Sequence, residues 1–127
     1  MNSLGLLYTR IGEESLQDLS KNFYLEVSKI PELRNLYPED LDAAERRIYL
    51  FLVQALGGPQ TYSEERGHPR LRMRHMQWKI DSKMRSHWMN AMLHALDKVP
   101  LDQDVREDLM QYFTQVANAM INHEEVE

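Results

Sequence analysis

The sequence predicts an all-α protein, and three observations point there. Apolar residues recur at helical spacing in four separate stretches, no stretch shows the apolar–polar alternation of a half-buried strand, and the strong breakers fall between the helical stretches. The 127 residues include 43% hydrophobic side chains, enough for one core, so a single domain over residues 1–127 is expected.

Leu16, Leu19, Phe23, Val27 and Ile30 step by three and four, as an amphipathic helix does. Pro31 stops the run because proline disfavours helical geometry in the residue before it. A brief helical turn is expected from Pro31 to Tyr37. A second long helix runs from about Leu41 to Leu56 through Ala44, Ile48, Phe51 or Leu52, and Ala55, with Asp40 and Asp42 as candidate caps and Gly57-Gly58-Pro59 as its end. No periodicity is visible from Gln60 to His68, and Pro69 to His75 is too short to persist as helix unless it packs on something else. A ligand would serve, and an ordered loop of this length in a small domain points to function.

After Asp81, the set Met84, Trp88, Met92 and Leu96 repeats every four residues, with Met89 and Leu93 widening the stripe until Pro100. The last helix carries Val105, Leu109, Tyr112/Phe113, Val116 and Met120. Asp102 is its expected cap, and Asp104, Glu107 and Asp108 lie near its positive end. The tail after His123 is expected to fray. Four substantial helices and one long ordered loop result.

Composition removes several function classes. A formal net charge of -5, with 28% charged residues, gives no overall field toward nucleic acid or an anionic membrane. The absence of cysteine excludes disulfides, thiolate zinc sites, iron–sulfur clusters and covalent haem attachment through thioethers. The apolar run from Leu4 to Tyr8 is too short for a membrane span and lacks the basic flank of a secretory signal, so a cytoplasmic protein is expected.

His75 ends a segment rich in arginine, with Arg66, Arg70, Arg72 and Arg74 before it. In an acidic protein such a local cluster suits a ligand bearing carboxylates. The alternative is a solvated face balanced by Glu64 and Glu65. Tyr24, Tyr37 and Trp88 each combine an apolar ring with a donor that needs a partner, and their convergence would make a polar site in an apolar pocket. Spacing alone does not show that convergence. On pattern alone, a cofactor protein and a haem-free helical interaction module, using the eight methionines and the Arg66–Arg74 segment, stand level. Phosphate or RNA binding is disfavoured by the net charge.

The segments LSKNFYLEV, LRNLYPEDL and FLVQALGGPQTYSEERGHPRLRMRH, followed by Trp88, resemble in order and spacing the truncated haemoglobins of the second group, the two-on-two globins of bacteria and plants. The likeness runs from about Ile11 to Met120, and GGP-x-x-Y-S-E-x-R-G-H-P-x-L-R-x-R-H is its most specific part.

That resemblance implies a shortened globin fold, a two-over-two helical sandwich around a non-covalent haem b and its iron. His75 corresponds to the proximal iron ligand, and Tyr24, Tyr37 and Trp88 to the residues facing the sixth coordination position. Ala44 falls where many oxygen carriers keep a distal histidine, with Ile48 as an apolar ceiling one turn on. Arg47, Tyr62 and Arg74 are the candidates for propionate contacts, and Phe51, Leu71, Trp78 and Ile80 for the remaining haem-binding wall. Two departures stand out: the Tyr37–Ala44 loop is one residue shorter than in some relatives, and Trp78 replaces a usual phenylalanine.

The implied function is reversible binding of dioxygen and other diatomic gases, with donors at the distal side giving high oxygen affinity. Oxygen delivery or sensing and redox chemistry on nitric oxide or peroxide are all compatible with it; a nitric oxide dioxygenase or peroxidase-like reaction would be a side activity of an oxygen-binding protein. No flavin or nicotinamide motif is visible, so a separate reductase is the expected electron source. A monomer or a homodimer fits equally.

Overall fold

The computed structural model describes residues 7–37 and 39–122, and every regular element among them is helical. The order is α1 (Leu7–Ile11), α2 (Glu13–Val27), α3 (Pro31–Arg34), α4 (Leu41–Ala55), α5 (Thr61–Arg66), α6 (Leu71–His75), α7 (Ser82–Asp97) and α8 (Gln103–Met120). The four long helices are those the periodicity predicts. The expected fraying after His123 lies outside the described residues.

Helix α2 packs on both α4 and α7, and α7 packs on α8, so the long helices form two layered pairs. The apolar stripes explain this. Leu16, Leu19, Phe23 and Val27 are buried on α2 at helical spacing, and Ala91 and Ala95 on α7 are fully buried. Small residues one turn apart let neighbouring backbones approach closely. Leu52 and Val53 from α4, and Val105, Leu109 and Phe113 from α8, complete the core.

One buried acid joins two of the layers. Glu26, near the end of α2, meets Lys29 at 2.6 Å, His94 at 3.4 Å and Lys98 at 3.5 Å. The hydrogen bond from Lys29 holds its carboxyl below the usual carboxylate range, against the opposing effect of burial.

Three sequence expectations are corrected. The stretch Gln60–His68, read as non-periodic, contains α5; its one buried residue is Tyr62, too little for a periodic signal, and Gln54 anchors the helix through Ser63. Asp102 occupies the N-cap position of α8 but makes no side-chain capping bond. Arg10, beside Asp104 at 2.9 Å, also draws Asp102 to 3.6 Å. Helix α2 ends at Val27 rather than Ile30, which becomes the extended N-cap of α3 instead. Asp40, in contrast, does cap α4 by accepting from the Asp42 N–H at 3.0 Å.

The Gly57-Gly58 break also docks α1. The Tyr8 N–H donates to the Leu56 carbonyl at 2.9 Å, bringing the Tyr8 ring across Gly58. A methyl group on Gly58 would stand 2.7 Å from Val53 Cγ1 and 2.8 Å from Tyr8 Cδ1. Gly58→Ala is therefore expected to cost about 1–3 kcal/mol of stability. Guanidinium unfolding checks this, and an unchanged midpoint would show that α1 does not hold that close approach.

Candidate functional site

The helical layers leave a cavity of about 760 Å³ between them. That volume lies in the range of pockets that enclose a small molecule or cofactor. The wall is mainly apolar: Leu33, Leu36, Ala44, Ile48, Phe51, Leu71, Ile80, Met84, Val116, Ala117 and Met120 all contribute. Arg47, Arg66, Arg74 and Arg85 also line it, and among the described residues none of the lining is acidic.

Every site residue named from the sequence lines this one cavity: His75, Tyr24, Tyr37, Trp88, Ala44, Ile48, Arg47, Tyr62, Arg74, Phe51, Leu71, Trp78 and Ile80. Sequence reasoning missed lining residues that α3, α7 and α8 supply, Leu33, Met84, Val116, Ala117 and Met120 among them. Met84, Val116 and Met120 read as ordinary core positions, because a helical stripe looks the same whether it faces protein or a cavity. Arg66 and Arg85 also join the wall; nothing local distinguishes Arg85 from a surface arginine.

His75 is the last residue of the five-residue helix α6. Its Nδ1 lies 2.6 Å from the Leu71 carbonyl oxygen one turn back. A carbonyl only accepts, so Nδ1 carries the proton and donates it. The imidazole is thereby fixed in the tautomer whose Nε2 has a free lone pair. Trp78 packs beside the ring at 5.6 Å between centroids.

A second group of polar side chains forms around Tyr37. Its ring meets that of Tyr24 edge-on at 5.2 Å, and Tyr24 meets Phe23 at 5.0 Å. Trp88 is clasped between Phe23 at 5.5 Å and Phe113 at 5.9 Å. The Trp88 indole N–H and the Tyr24 hydroxyl are the donors that face the Tyr37 oxygen. Burial pushes the Tyr37 phenol up to about 12, with those two donors opposing the rise. Burial is also the main cause that raises Tyr24 above the ordinary tyrosine value.

The convergence of Tyr24, Tyr37 and Trp88, which spacing alone does not show, is centred on the oxygen of Tyr37. Its own O–H is then the proton left for a group in the cavity. Of the two acids that could balance the arginine segment, Glu65 pairs with Arg46 at 2.6 Å, and Arg66 adds a weaker attraction. Arg74 donates to the Arg66 carbonyl at 2.8 Å and lies 6.0 Å from the centre of the Tyr62 ring.

These residues fit haem. Among the described residues no group of three or more His, Cys, Asp or Glu could hold a metal ion, so a metal at His75 must bring most of its ligands with it, as a porphyrin iron does. The apolar wall suits the macrocycle, and the arginines suit its two carboxylates. Among the same residues no helix is long and apolar enough to cross a membrane.

Comparison with known proteins agrees. The family model described as bacterial-like globin matches residues 6–122. The chain is 40% identical to the group 2 truncated haemoglobin YjbI of Bacillus subtilis, over 94% of this chain and 91% of that protein. The group II truncated haemoglobin of Bacillus anthracis superposes with a TM-score of 0.91 at 33% identity, covering 99% of this chain and 97% of that one. The truncated oxygen-avid haemoglobin of Bacillus subtilis gives 0.88 at 40% identity, covering 91% and 98%. By its sequence, its helical sandwich and its cavity, the chain belongs to the bacterial-like globin family as a group II truncated haemoglobin, an oxygen-binding globin whose cofactor is non-covalent haem b.

Proposed function

We propose that this globin holds oxygen tightly and releases it slowly, with His75 as the iron ligand and the Tyr37 network as the ligand clamp. The observation that carries this reading is the pairing within one cavity of an imidazole held through its Nδ1 and a phenol whose oxygen faces the Tyr24 and Trp88 donors. When bound, haem b supplies an iron that accepts one diatomic ligand at the position not taken by histidine.

The protein side of the mechanism follows from the hydrogen bonds. Leu71 holds the His75 ring through Nδ1 and keeps its Nε2 electron pair available. Arg47 and Arg74, with Tyr62, are the residues that would receive the propionates, a role the all-cationic charge of the wall supports. Tyr24 and Trp88 fix the Tyr37 oxygen from two sides, so its proton is aimed without further loss of freedom. Ala44 and Ile48 leave the ceiling apolar and keep competing water away from that proton.

The oxygen avidity of the Bacillus subtilis relative agrees with such a clamp. Slow release suits redox chemistry or sensing better than bulk delivery. Reactivity toward nitric oxide or peroxide, with electrons from a separate reductase, extends the same reading. The exposed Met73 within the Arg66–Arg74 segment and Met76 just after it support contact with an acidic partner there.

Loss of one neutral hydrogen bond is worth about 0.5–1.5 kcal/mol, and about 1.4 kcal/mol is tenfold in an equilibrium constant. Tyr37→Phe should therefore speed oxygen dissociation by up to about tenfold. Tyr24→Phe and Trp88→Phe should speed it less, and their effects should not add to that of Tyr37→Phe, because all three act through one oxygen. Stopped-flow displacement of oxygen by carbon monoxide measures this. Equal rates in the parent and Tyr37→Phe would remove the clamp from the account.

The phenols also predict a pH dependence. A tyrosine ordinarily titrates near about 10, and Tyr37 stays neutral in the fold up to about 12. Its contribution to stability is whole below the unfolded value of about 10 and is lost as pH rises through the folded value, since the unfolded chain gives up the proton first. Melting temperatures across the alkaline range should fall less steeply in Tyr37→Phe than in the parent. Parallel curves would mean that the phenol is solvated.

A further inference from the structure

His75 sits on a helix of five residues, which cannot hold itself in water. Its hydrogen bond to Leu71 fixes the ring relative to α6 but leaves α6 itself to be placed. The chain leaves α6 through residues 76–80 before entering α7, and that connection is pinned from a distance. Asn122, two residues beyond the end of α8, makes three hydrogen bonds to it and a fourth to His75, the last residue of α6. Its Nδ2 donates to the His75 carbonyl at 3.2 Å and to the Trp78 carbonyl at 2.9 Å. Its Oδ1 accepts from the Ile80 N–H at 2.9 Å, and its own N–H donates to the Ile80 carbonyl, also at 2.9 Å.

The chemistry of that arrangement is demanding. It needs a donor with two hydrogens and an acceptor on one short side chain, and asparagine is the residue that carries both at that reach. The clamp begins at the main chain of His75 and ends at Ile80, and both residues line the cavity, as does Trp78 between them. Val116, Ala117 and Met120 of α8 line the cavity as well. One side chain thus joins the segment that carries the imidazole to the helix end that walls the same space.

We propose that Asn122 is a positioning residue for the iron ligand: through the carbonyls of His75 and Trp78 and both main-chain groups of Ile80, it sets where the His75 ring stands relative to α8. The inference rests on His75 being the iron ligand. A loss of positioning changes how the imidazole meets the iron, and partners of a metal-bound histidine typically change metal retention by roughly 10–100-fold when removed.

The test uses the full chain loaded with hemin. Asn122→Ala removes the three side-chain bonds and keeps the main-chain one. Asn122→Asp keeps the acceptor for Ile80, removes both donors to the carbonyls, and gives a second chance of a folded variant. Two quantities are read: the iron–histidine stretching band of the reduced, ligand-free protein by resonance Raman, and the rate of hemin transfer to excess apomyoglobin. The expected result is a displaced band and hemin loss about tenfold faster or more in either variant, with helical content by circular dichroism kept. A band at the parent position together with parental hemin loss, in a folded variant, overturns the proposal. His75→Ala separates the two claims. If it abolishes the band while the Asn122 variants leave it in place, the positioning role alone is wrong; if the band survives in His75→Ala, the ligand assignment and this proposal fall together.

Discussion

One hydrogen bond governs the chemistry available to this chain. The Leu71 carbonyl takes the proton of His75 Nδ1 at 2.6 Å, so the imidazole meets the cavity with an electron pair rather than a proton. Reversing that tautomer would turn the same ring into a donor and take away the lone pair that the proposed iron ligation needs, without moving an atom of the backbone. The short helix exists to present this geometry, and its stability comes from what surrounds it rather than from its own length.

The surrounding fold divides the labour. Helices α2, α4, α7 and α8 bury most of the apolar surface and make a rigid frame, with α2 packed on both α4 and α7. The polar residues that line the cavity lie where that frame opens. Phe23 and Phe113 are core residues, yet they hold Trp88 by edge contacts, and Phe23 also holds Tyr24. The hydrophobic core therefore orients the donors directly, and a cofactor that binds only the folded chain adds to stability by mass action.

The long helices were legible because their stripes repeat at a period that only a helix satisfies, as Leu16, Leu19, Phe23 and Val27 do. Helix α5 was not, since Tyr62 is its single buried residue. Helix α1 was not foreseen either, because its place is set by long-range contacts, Tyr8 to Leu56 and Arg10 to Asp104. The site divides in the same way. The resemblance in the segment ending at His75 named residues that line one cavity, while spacing alone gave no convergence. The network on the Tyr37 oxygen and the reach of Asn122 across more than forty positions are tertiary facts, and no local pattern encodes them.

The central claim is that the Nε2 atom of His75 holds the iron. Titration of His75→Gly with hemin, with and without added imidazole, tests it most directly, because the substitution leaves a gap shaped for the missing ring. The account predicts weak hemin uptake and an altered Soret band in the variant alone, and return of the parental spectrum when imidazole is supplied. Hemin bound as tightly and with the same spectrum in the variant as in the parent, imidazole making no difference, would contradict it.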